Sequence, residues 1–216
     1  ELGVKKDNIL VLYRKGVIHS RRDDLSQFKA ALAVDTDKRT LDDATEGADV
    51  FIGVSSADML TPAMGKKMAD PPIIFALANP DPEIRTKVAR EARPDAIVAT
   101  GRSDFPNQVN NVLCFPFIFR GALDVGATEI NDAMQVACVE GIAESARITT
   151  SAEAAAAYKG EQMSFGADYL IPKPFDPRLS GIVSTAVARA SMDSGLARHP
   201  IAPLAPYRRT LAATLS

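Results

Sequence analysis

The sequence contains few residues that build metal sites and no apolar run long enough to cross a membrane. Two cysteines and two histidines occur among its 216 residues. There is no Cys-x-x-Cys pair, and His19 lies far from His199 in the sequence, so we do not expect a zinc site. No apolar run approaches the roughly 20 residues that a transmembrane helix needs. We therefore expect no contact with a membrane.

The sequence also lacks an excess of positive charge. The formal net charge is −2, and the 25 lysine and arginine residues are spread along the chain, whereas nucleic-acid binders usually carry a basic face. Residues 1–6 (ELGVKK) lack the apolar segment of a signal peptide. We therefore expect a cytoplasmic protein that does not bind nucleic acid.

The two cysteines, Cys114 and Cys138, lie in apolar stretches of the chain. A buried free cysteine packs as a small hydrophobic residue, and hydrophobic residues make up 46% of the sequence. We therefore interpret both cysteines as residues of a hydrophobic core.

The first half of the chain alternates between apolar runs and segments of helical composition. Continuous apolar runs of strand length are typical of strands that are buried on both faces of a parallel sheet. Their alternation with helical segments predicts βαβ units and an α/β fold. The predicted strands are residues 8–13, 49–54, 72–78 and 95–100, and the predicted helices between them include residues 61–69 and 83–91.

The pattern changes after about residue 107, where helical segments replace strands. Apolar residues at a spacing of three to four predict a long helix over residues 131–148. Further helices are predicted over the alanine-rich residues 152–157 and over residues 179–194. We therefore predict an α/β domain over residues 1–126 and a helical C-terminal extension over residues 127–216.

Small and polar residues follow three of the four predicted strands. In an open parallel sheet, ligands bind at the carboxyl ends of the strands. Turn formation alone also favours such residues, but three strand ends of this kind indicate a binding crevice for a flat cofactor with ribose and phosphate groups. The residues are Gly53, Ser55, Ser56, Asn79, Thr100 and Gly101.

Three asparagines are candidate ligand amides. Asn79 offers donors and an acceptor without charge, which suits a carboxamide or a substrate carboxylate, although an Asx turn before Pro80 is the alternative. Asn110 and Asn111 are either a helix N-cap or a pair of ligand amides. The two roles can coexist, because a helix N-terminus attracts anions.

Six stretches of this sequence are long, rare and similar to those of malic enzymes, most closely the bacterial ones. They cover nearly the whole chain, so the sequence is identified by resemblance as the C-terminal, cofactor-binding part of such an enzyme. The stretches are residues 39–41 (RTL), 47–51 (GADVF), 75–83 (FALANPDPE), 99–111 (ATGRSDFPNQVNN), 115–124 (FPFIFRGALD) and 171–178 (IPKPFDPR).

The resemblance implies a function and a set of residue roles. Malic enzymes oxidise malate with NAD or NADP and decarboxylate it to pyruvate with the help of Mg²⁺ or Mn²⁺. The resemblance implies that Asn79 and Asn111 contact malate near the nicotinamide, with Asn110 close by, and that Asn79 and the strand-end residues line the dinucleotide. It also implies a homodimer or another homo-oligomer.

The resemblance further implies that parts of the enzyme lie outside this chain. No glycine-rich G-x-G-x-x-G turn is present, so a Rossmann-like sheet without its first strand is expected, with its gap filled by contact with another chain. The family's acid/base tyrosine and lysine and its three metal-binding carboxylates precede this sequence. No catalytic or metal-binding residue is therefore assigned here, and the chain alone is expected to be inactive.

The choice between the two dinucleotides depends on the residues after the first apolar run. An acidic residue at this position bonds the ribose 2′-hydroxyl of NAD, whereas arginine accommodates the phosphate of NADP. Here Arg14 and Lys15 occupy the position, which favours NADP, unless both belong to a solvated turn.

Two other interpretations of the whole chain remain. One is a non-catalytic dinucleotide-binding or assembly module, and the other is a different Rossmann-type dehydrogenase.

Overall fold

The computed structural model describes residues 3–148 and 164–213. Contacts divide the chain into two compact units, residues 1–100 and residues 101–216, and each is described by itself. The predicted domain boundary at residue 126 stays a prediction. The helix predicted over residues 152–157 lies outside the described residues.

The first unit contains a parallel sheet of three strands in consecutive order. Its strands are β3 (Val50–Gly53), β4 (Ile73–Ala76) and β5 (Ile97–Thr100). They confirm three of the four predicted strands, with bounds shorter by one to a few residues. The register pairs Gly53 with Ala76 and Ala76 with Thr100, so the three strands end level. Among the described residues β3 is an edge strand, paired on one side by β4.

The remaining predicted strand, residues 8–13, does not belong to this sheet, so that prediction is wrong. The chain instead forms a short 3₁₀ helix at Lys6–Asn8 and a hairpin of β1 (Leu12–Tyr13) with β2 (Gly16–Val17). Gly16 has a φ of +90°, a conformation that glycine adopts without steric cost and that turns the chain back on itself. Ile18 N–H donates to the Val11 carbonyl at 2.8 Å, so this apolar run pairs locally.

Short helices connect the strands of the first unit. They are α1 (Gln27–Leu32), α2 (Leu41–Thr45), α3 (Pro62–Lys67) and α4 (Thr86–Ala92). α3 begins after Thr61, whose side-chain oxygen accepts from Met64 N–H at 3.2 Å, as is typical of an N-cap. α3 and α4 confirm the two helices predicted between the strands. The core of the unit is Leu60, Met68, Ile74, Ala76, Ile84, Ala89, Ala96 and Val98.

The second unit is helical. Its helices are α5 (Phe115–Asp124), α6 (Asp132–Arg147), α7 (Arg178–Asp193) and α8 (Leu204–Ala213). α6 and α7 confirm the long helices predicted there, and Asn131 caps α6 by accepting from Met134 N–H at 3.0 Å. α5 and α6 pack against α7 around a core of Leu113, Phe117, Ile118, Ala122, Met134, Cys138, Leu179, Val183 and Val187.

The cysteine prediction is confirmed by this core. Cys138 is one of its buried members and Cys114 is a half-buried residue packed against it. None of the described helices is both long enough and apolar enough to cross a membrane.

Candidate dinucleotide and substrate site

The structure brings the predicted strand-end residues of the first unit to one edge of the parallel sheet. β3 ends at Gly53 and is followed by Ser55 and Ser56, which are both exposed. Asn79 follows the end of β4 and is also exposed. Thr100 is the last residue of β5 and is fully buried. Hydroxyl and amide groups therefore reach solvent at the carboxyl edge, where sheets of this kind bind ligands.

One functional residue at this edge was not assigned from the sequence. Glu83 is fully buried, and its carboxylate joins the segments that follow β3 and β4. One oxygen, Oε1, accepts from Ser55 N–H at 2.8 Å, and the other, Oε2, accepts from Ala78 N–H at 3.0 Å. The Ser55 hydroxyl lies 3.5 Å from Oε1. Glu83 therefore fixes the spacing of the two segments that carry Ser55 and Asn79.

The backbone beside Glu83 strengthens the same link. The Glu83 carbonyl accepts from Leu60 N–H at 3.0 Å, and the Pro82 carbonyl accepts from Asp58 N–H at 3.2 Å. The segment that carries Asn79 is thus held against the segment after β3 by main-chain and side-chain bonds together. These hydrogen bonds hold in place the two segments that carry the exposed residues Ser55 and Asn79.

Gly53 is explained by the position of Glu83. A β-carbon added at Gly53 would overlap the Glu83 side chain and lie 2.6 Å from its Oε1, closer than β-carbons approach any atom in real proteins. Glycine is therefore required so that the carboxylate can reach between the strand ends. The close approach of a cofactor to Gly53 stays a prediction.

The Asn79 side chain makes no hydrogen bond to another described residue. The Asx-turn alternative is thus not seen, and the amide is free to meet a ligand. By contrast, the N–H groups of Ser55 and Ala78 already donate to Glu83. Asn79, Ser55 and Ser56 are exposed at this edge, and their role as ligand contacts stays a prediction.

The other two candidate amides lie in the second unit. Asn110 Oδ1 accepts from Val112 N–H at 3.0 Å and caps the 3₁₀ helix Asn111–Leu113, so the cap interpretation of Asn110 is confirmed. Asn110 is itself exposed, so its side-chain NH₂ group is accessible to solvent. Asn111 is the first residue of this helix and is exposed. Both amides stand at the N-terminus of a short helical turn that leads into α5.

A third asparagine in the same segment, Asn107, was not predicted as a site residue. Asn107 is buried, with a φ of +54°, and its Nδ2 donates to the Ala167 carbonyl at 2.7 Å while its Oδ1 accepts from Leu170 N–H at 2.8 Å. It fastens the loop before Asn110 to the chain before α7. The two segments line a groove of about 520 Å³ formed by residues 103–108, 164, 168, 169 and 171–173.

The residues that favour NADP lie at the tip of the hairpin. Arg14 and Lys15 are exposed between β1 and β2. Lys15 Nζ lies 2.8 Å from an Asp24 carboxylate oxygen, and Asp24 also bonds Arg22. These two cations, Arg22 foremost, hold the pKa of Asp24 well below its ordinary value. Arg14 makes no ion pair within the described residues, so it is the freer of the two predicted phosphate ligands.

No metal-binding cluster occurs in the described part of the chain. Within residues 3–148 and 164–213, no three histidine, cysteine, aspartate or glutamate side chains are grouped so that they could hold a metal ion. These residues therefore do not fit a divalent cation. The strand ends of the first unit do carry hydroxyl and amide groups, on Ser55, Ser56 and Asn79. Groups of these kinds can bond the ribose and the carboxamide of a dinucleotide.

Comparison with known proteins places this arrangement in a family. The model of the malic enzyme NAD-binding domain matches residues 4–158. The NADP-dependent malic enzyme of Halomonas elongata is 58% identical over 198 residues, covering 92% of this chain and 47% of that protein. The NADP-dependent malic enzyme of Escherichia coli is 58% identical over 208 residues, covering 95% of this chain and 27% of that protein.

A solved structure agrees with these sequence matches. The crystal structure of malic enzyme from Pyrococcus horikoshii superposes with a TM-score of 0.74 at 34% identity, covering 91% of this chain and 44% of that one. The chain thus spans less than half the length of each of these three relatives. Its sequence, its level strand ends and its structural match agree, and the chain belongs to the malic enzyme family, of which it carries the NAD-binding domain.

Proposed function

We propose that the protein containing this chain oxidises malate and decarboxylates it to pyruvate and CO₂ while reducing NADP or NAD. The observation that carries the proposal is the exposed Asn79 amide, unbonded within the described residues and held beside Ser55 by the buried Glu83 carboxylate. An uncharged amide next to ribose-binding hydroxyls suits a substrate carboxylate at a hydride-transfer site. Malate offers such a carboxylate.

The proposed roles of the described residues are binding and orientation. Asn79 of the first unit bonds malate, and Asn110 and Asn111 of the second unit stay predicted substrate amides. The hydroxyls of Ser55 and Ser56 bond the dinucleotide, and Arg14 meets the 2′-phosphate of NADP. The cofactor supplies hydride acceptance when it is bound. Because the described residues do not fit a divalent cation, no step is assigned to a metal ion on them.

The test is malate-dependent reduction of NADP and of NAD by the full-length product of the gene that carries this sequence. Asn79→Asp replaces the NH₂ donor by a negatively charged carboxylate, which repels the carboxylate of malate. We expect kcat/KM for malate to fall by about 10- to 100-fold, because a hydrogen bond to a charged group contributes about 1.5–3 kcal/mol. Asn8→Asp, on an exposed residue of the first unit, is the matched control.

Two results would contradict the proposal. The first is no turnover of malate by the full-length protein with either dinucleotide. The second is an Asn79→Asp variant whose kcat/KM equals that of the Asn8→Asp control. The ratio of the rates with NADP and NAD in the same assay tests the preference for NADP that Arg14 suggests.

We also propose that the protein self-associates. α5 exposes three large apolar side chains on one face, and the rings of Phe115 and Phe119 stack with centroids 5.9 Å apart. Leu123, one turn further, is 76% exposed. Exposed apolar faces of this kind are typical of protein contacts. Sedimentation velocity on the full-length protein tests the proposal, which a monomer at all concentrations contradicts.

A further inference from the structure

The chain has two cysteines, and the fold places them together. Cys114 directly precedes α5, and Cys138 lies in the middle of α6. Their sulfur atoms are 3.4 Å apart, although the residues are 24 positions apart in sequence. Both pack in the core of the second unit, so the proximity is maintained by the surrounding side chains.

The two cysteines differ in burial. Cys138 is 1% exposed, and burial, together with its contact with the Cys114 thiol, raises the pKa of Cys138 to about 12. Cys114 is half-buried, so this residue is more accessible to solvent than Cys138. The thiolate is the nucleophile in cysteine oxidation, so Cys114 is the thiol that meets an oxidant first and Cys138 is its partner.

We propose that Cys114 and Cys138 form a modification site that a hydroperoxide oxidises to an intramolecular disulfide. A disulfide bond is about 2.05 Å long, so the sulfur atoms need to approach by only about 1.4 Å. The shift is small enough to be met by side-chain rotation with a slight movement of the chain at Cys114.

The reaction balances with one peroxide. With hydrogen peroxide as the hydroperoxide, the Cys114 thiol gives up its proton, its thiolate attacks one peroxide oxygen, and the O–O bond breaks. The leaving hydroxide takes that proton and departs as water, which leaves a sulfenic acid on Cys114. The Cys138 sulfur then attacks the Cys114 sulfur, and the S–S bond forms as the S–OH bond breaks. The hydroxide leaves with the Cys138 proton as a second water. Two thiols are oxidised and one peroxide is reduced.

The site is connected to a proposed substrate amide. Cys114 N–H donates to the Asn111 carbonyl at 3.0 Å and closes the 3₁₀ helix that Asn111 begins. Movement of Cys114 toward α6 therefore pulls on the turn that carries Asn111. We expect oxidation to raise the KM for malate, an effect that rests on the proposed function, whereas disulfide formation does not.

The first experiment counts thiols. The full-length protein is treated with hydrogen peroxide, unfolded, and alkylated with a maleimide before intact-mass and peptide-mass analysis. We expect a cross-linked pair of peptides containing Cys114 and Cys138, loss of two alkylatable thiols, and full recovery after dithiothreitol. Cys114→Ala and Cys138→Ala each remove the cross-link and keep the other thiol. Peroxide-treated protein that retains both thiols, or carries two separate sulfinic acids, overturns the modification site.

The second experiment separates the site from the activity. The KM for malate is compared between reduced and oxidised protein, with Cys138→Ala as a variant that cannot form the disulfide. A KM that rises on oxidation in the wild type and not in Cys138→Ala supports the connection to Asn111, and an unchanged KM overturns it. If the reduced protein turns over no malate, the proposed function fails, while the thiol count still decides the modification site.

Discussion

Glu83 is a negatively charged side chain that the fold removes from water. Burial of an ionised carboxylate is costly, and the structure offsets the cost with N–H donors rather than with a cation, since Glu83 makes no ion pair among the described residues. Hydrogen bonds from backbone N–H groups to a carboxylate are among the stronger ones in proteins. This arrangement favours a geometric role, in which one side chain sets the distance between two strand ends.

Glu83→Gln tests that role. Glutamine keeps the shape but replaces one acceptor oxygen by an NH₂ group, so either Ser55 N–H or Ala78 N–H loses its acceptor. We expect the free energy of unfolding to fall by about 1–3 kcal/mol, the cost of a buried unsatisfied donor, as measured by urea unfolding. Glu91→Gln, whose side chain is 65% exposed, is the control and should change it by less than about 0.5 kcal/mol. Equal effects of the two substitutions would count against the role of Glu83.

The sequence predicted the exposed side chains at the strand ends, as well as the buried Gly53 and Thr100, but it did not predict the buried Glu83 and Asn107. Ser55, Ser56 and Asn79 follow apolar runs, so a rule about strand ends finds them. Glu83 lies in a proline-rich segment where a glutamate is ordinarily solvated, and only the packed structure shows its partners. The same applies to Asn107, whose partners lie more than 50 residues away in sequence.

At the scale of the elements, Arg93 connects the end of α3 to the start of β5. Its guanidinium is buried and donates to the carbonyls of Gly65, Met68 and Ala69. It also bonds the carboxylates of Asp70 and Asp95. A helix end leaves carbonyl groups without partners, and Arg93 supplies the donors that α3 lacks.

This ion pair predicts a dependence of stability on pH. The hydrogen bond from Arg93 holds the pKa of Asp95 below its ordinary value of 3.8. Since the folded pKa is the lower one, the contribution of Asp95 is present above pH 3.8 and is lost as the pH falls through and below that value. Asp95→Asn should therefore be less stable than wild type near neutral pH, and the difference should shrink in acid.

Urea unfolding at a series of pH values from neutral to below 4 measures this difference. The control is Asp49→Asn, on an exposed aspartate that has no ion pair within the described residues. It should follow the wild-type curve across the series. A difference between Asp95→Asn and wild type that stays constant with pH would falsify the assignment.

Strands and helices were predicted correctly where the pattern of apolar residues is compatible with only one kind of element. β3, β4 and β5 arise from continuous apolar runs bounded by turn residues, and α6 lies within the helix predicted over residues 131–148. Residues 8–13 show the same apolar character but form a hairpin and a 3₁₀ helix, because Gly16 allows the chain to reverse. Hydrophobicity alone does not distinguish a central strand from a short hairpin.

At the scale of the whole molecule, the chain corresponds to part of its relatives. It spans 47% of the Halomonas elongata protein and 27% of the Escherichia coli protein, and its described residues contain no metal-binding cluster. We therefore predict that the 216-residue chain alone does not reduce NADP or NAD with malate, even when Mn²⁺ is supplied.

The control for this prediction is the full-length gene product, whose malate-dependent reduction of NADP and NAD is measured under identical conditions. Intact mass establishes that the short chain is undegraded and free of the longer protein. Turnover by the pure short chain would mean that its own residues supply acid/base and metal chemistry, which the present assignment does not allow. Dinucleotide binding without turnover would agree with the assignment.

The consecutive order of β3, β4 and β5 bears on how the molecule folds. Val50 pairs with Ile73, and Ile73 pairs with Ile97, so each pairing closes a loop of only about two dozen residues, a separation that favours rapid folding. Every strand of this sheet that the structure describes lies before residue 101. A nascent chain can therefore assemble the sheet during synthesis, before the helices of the second unit have left the ribosome.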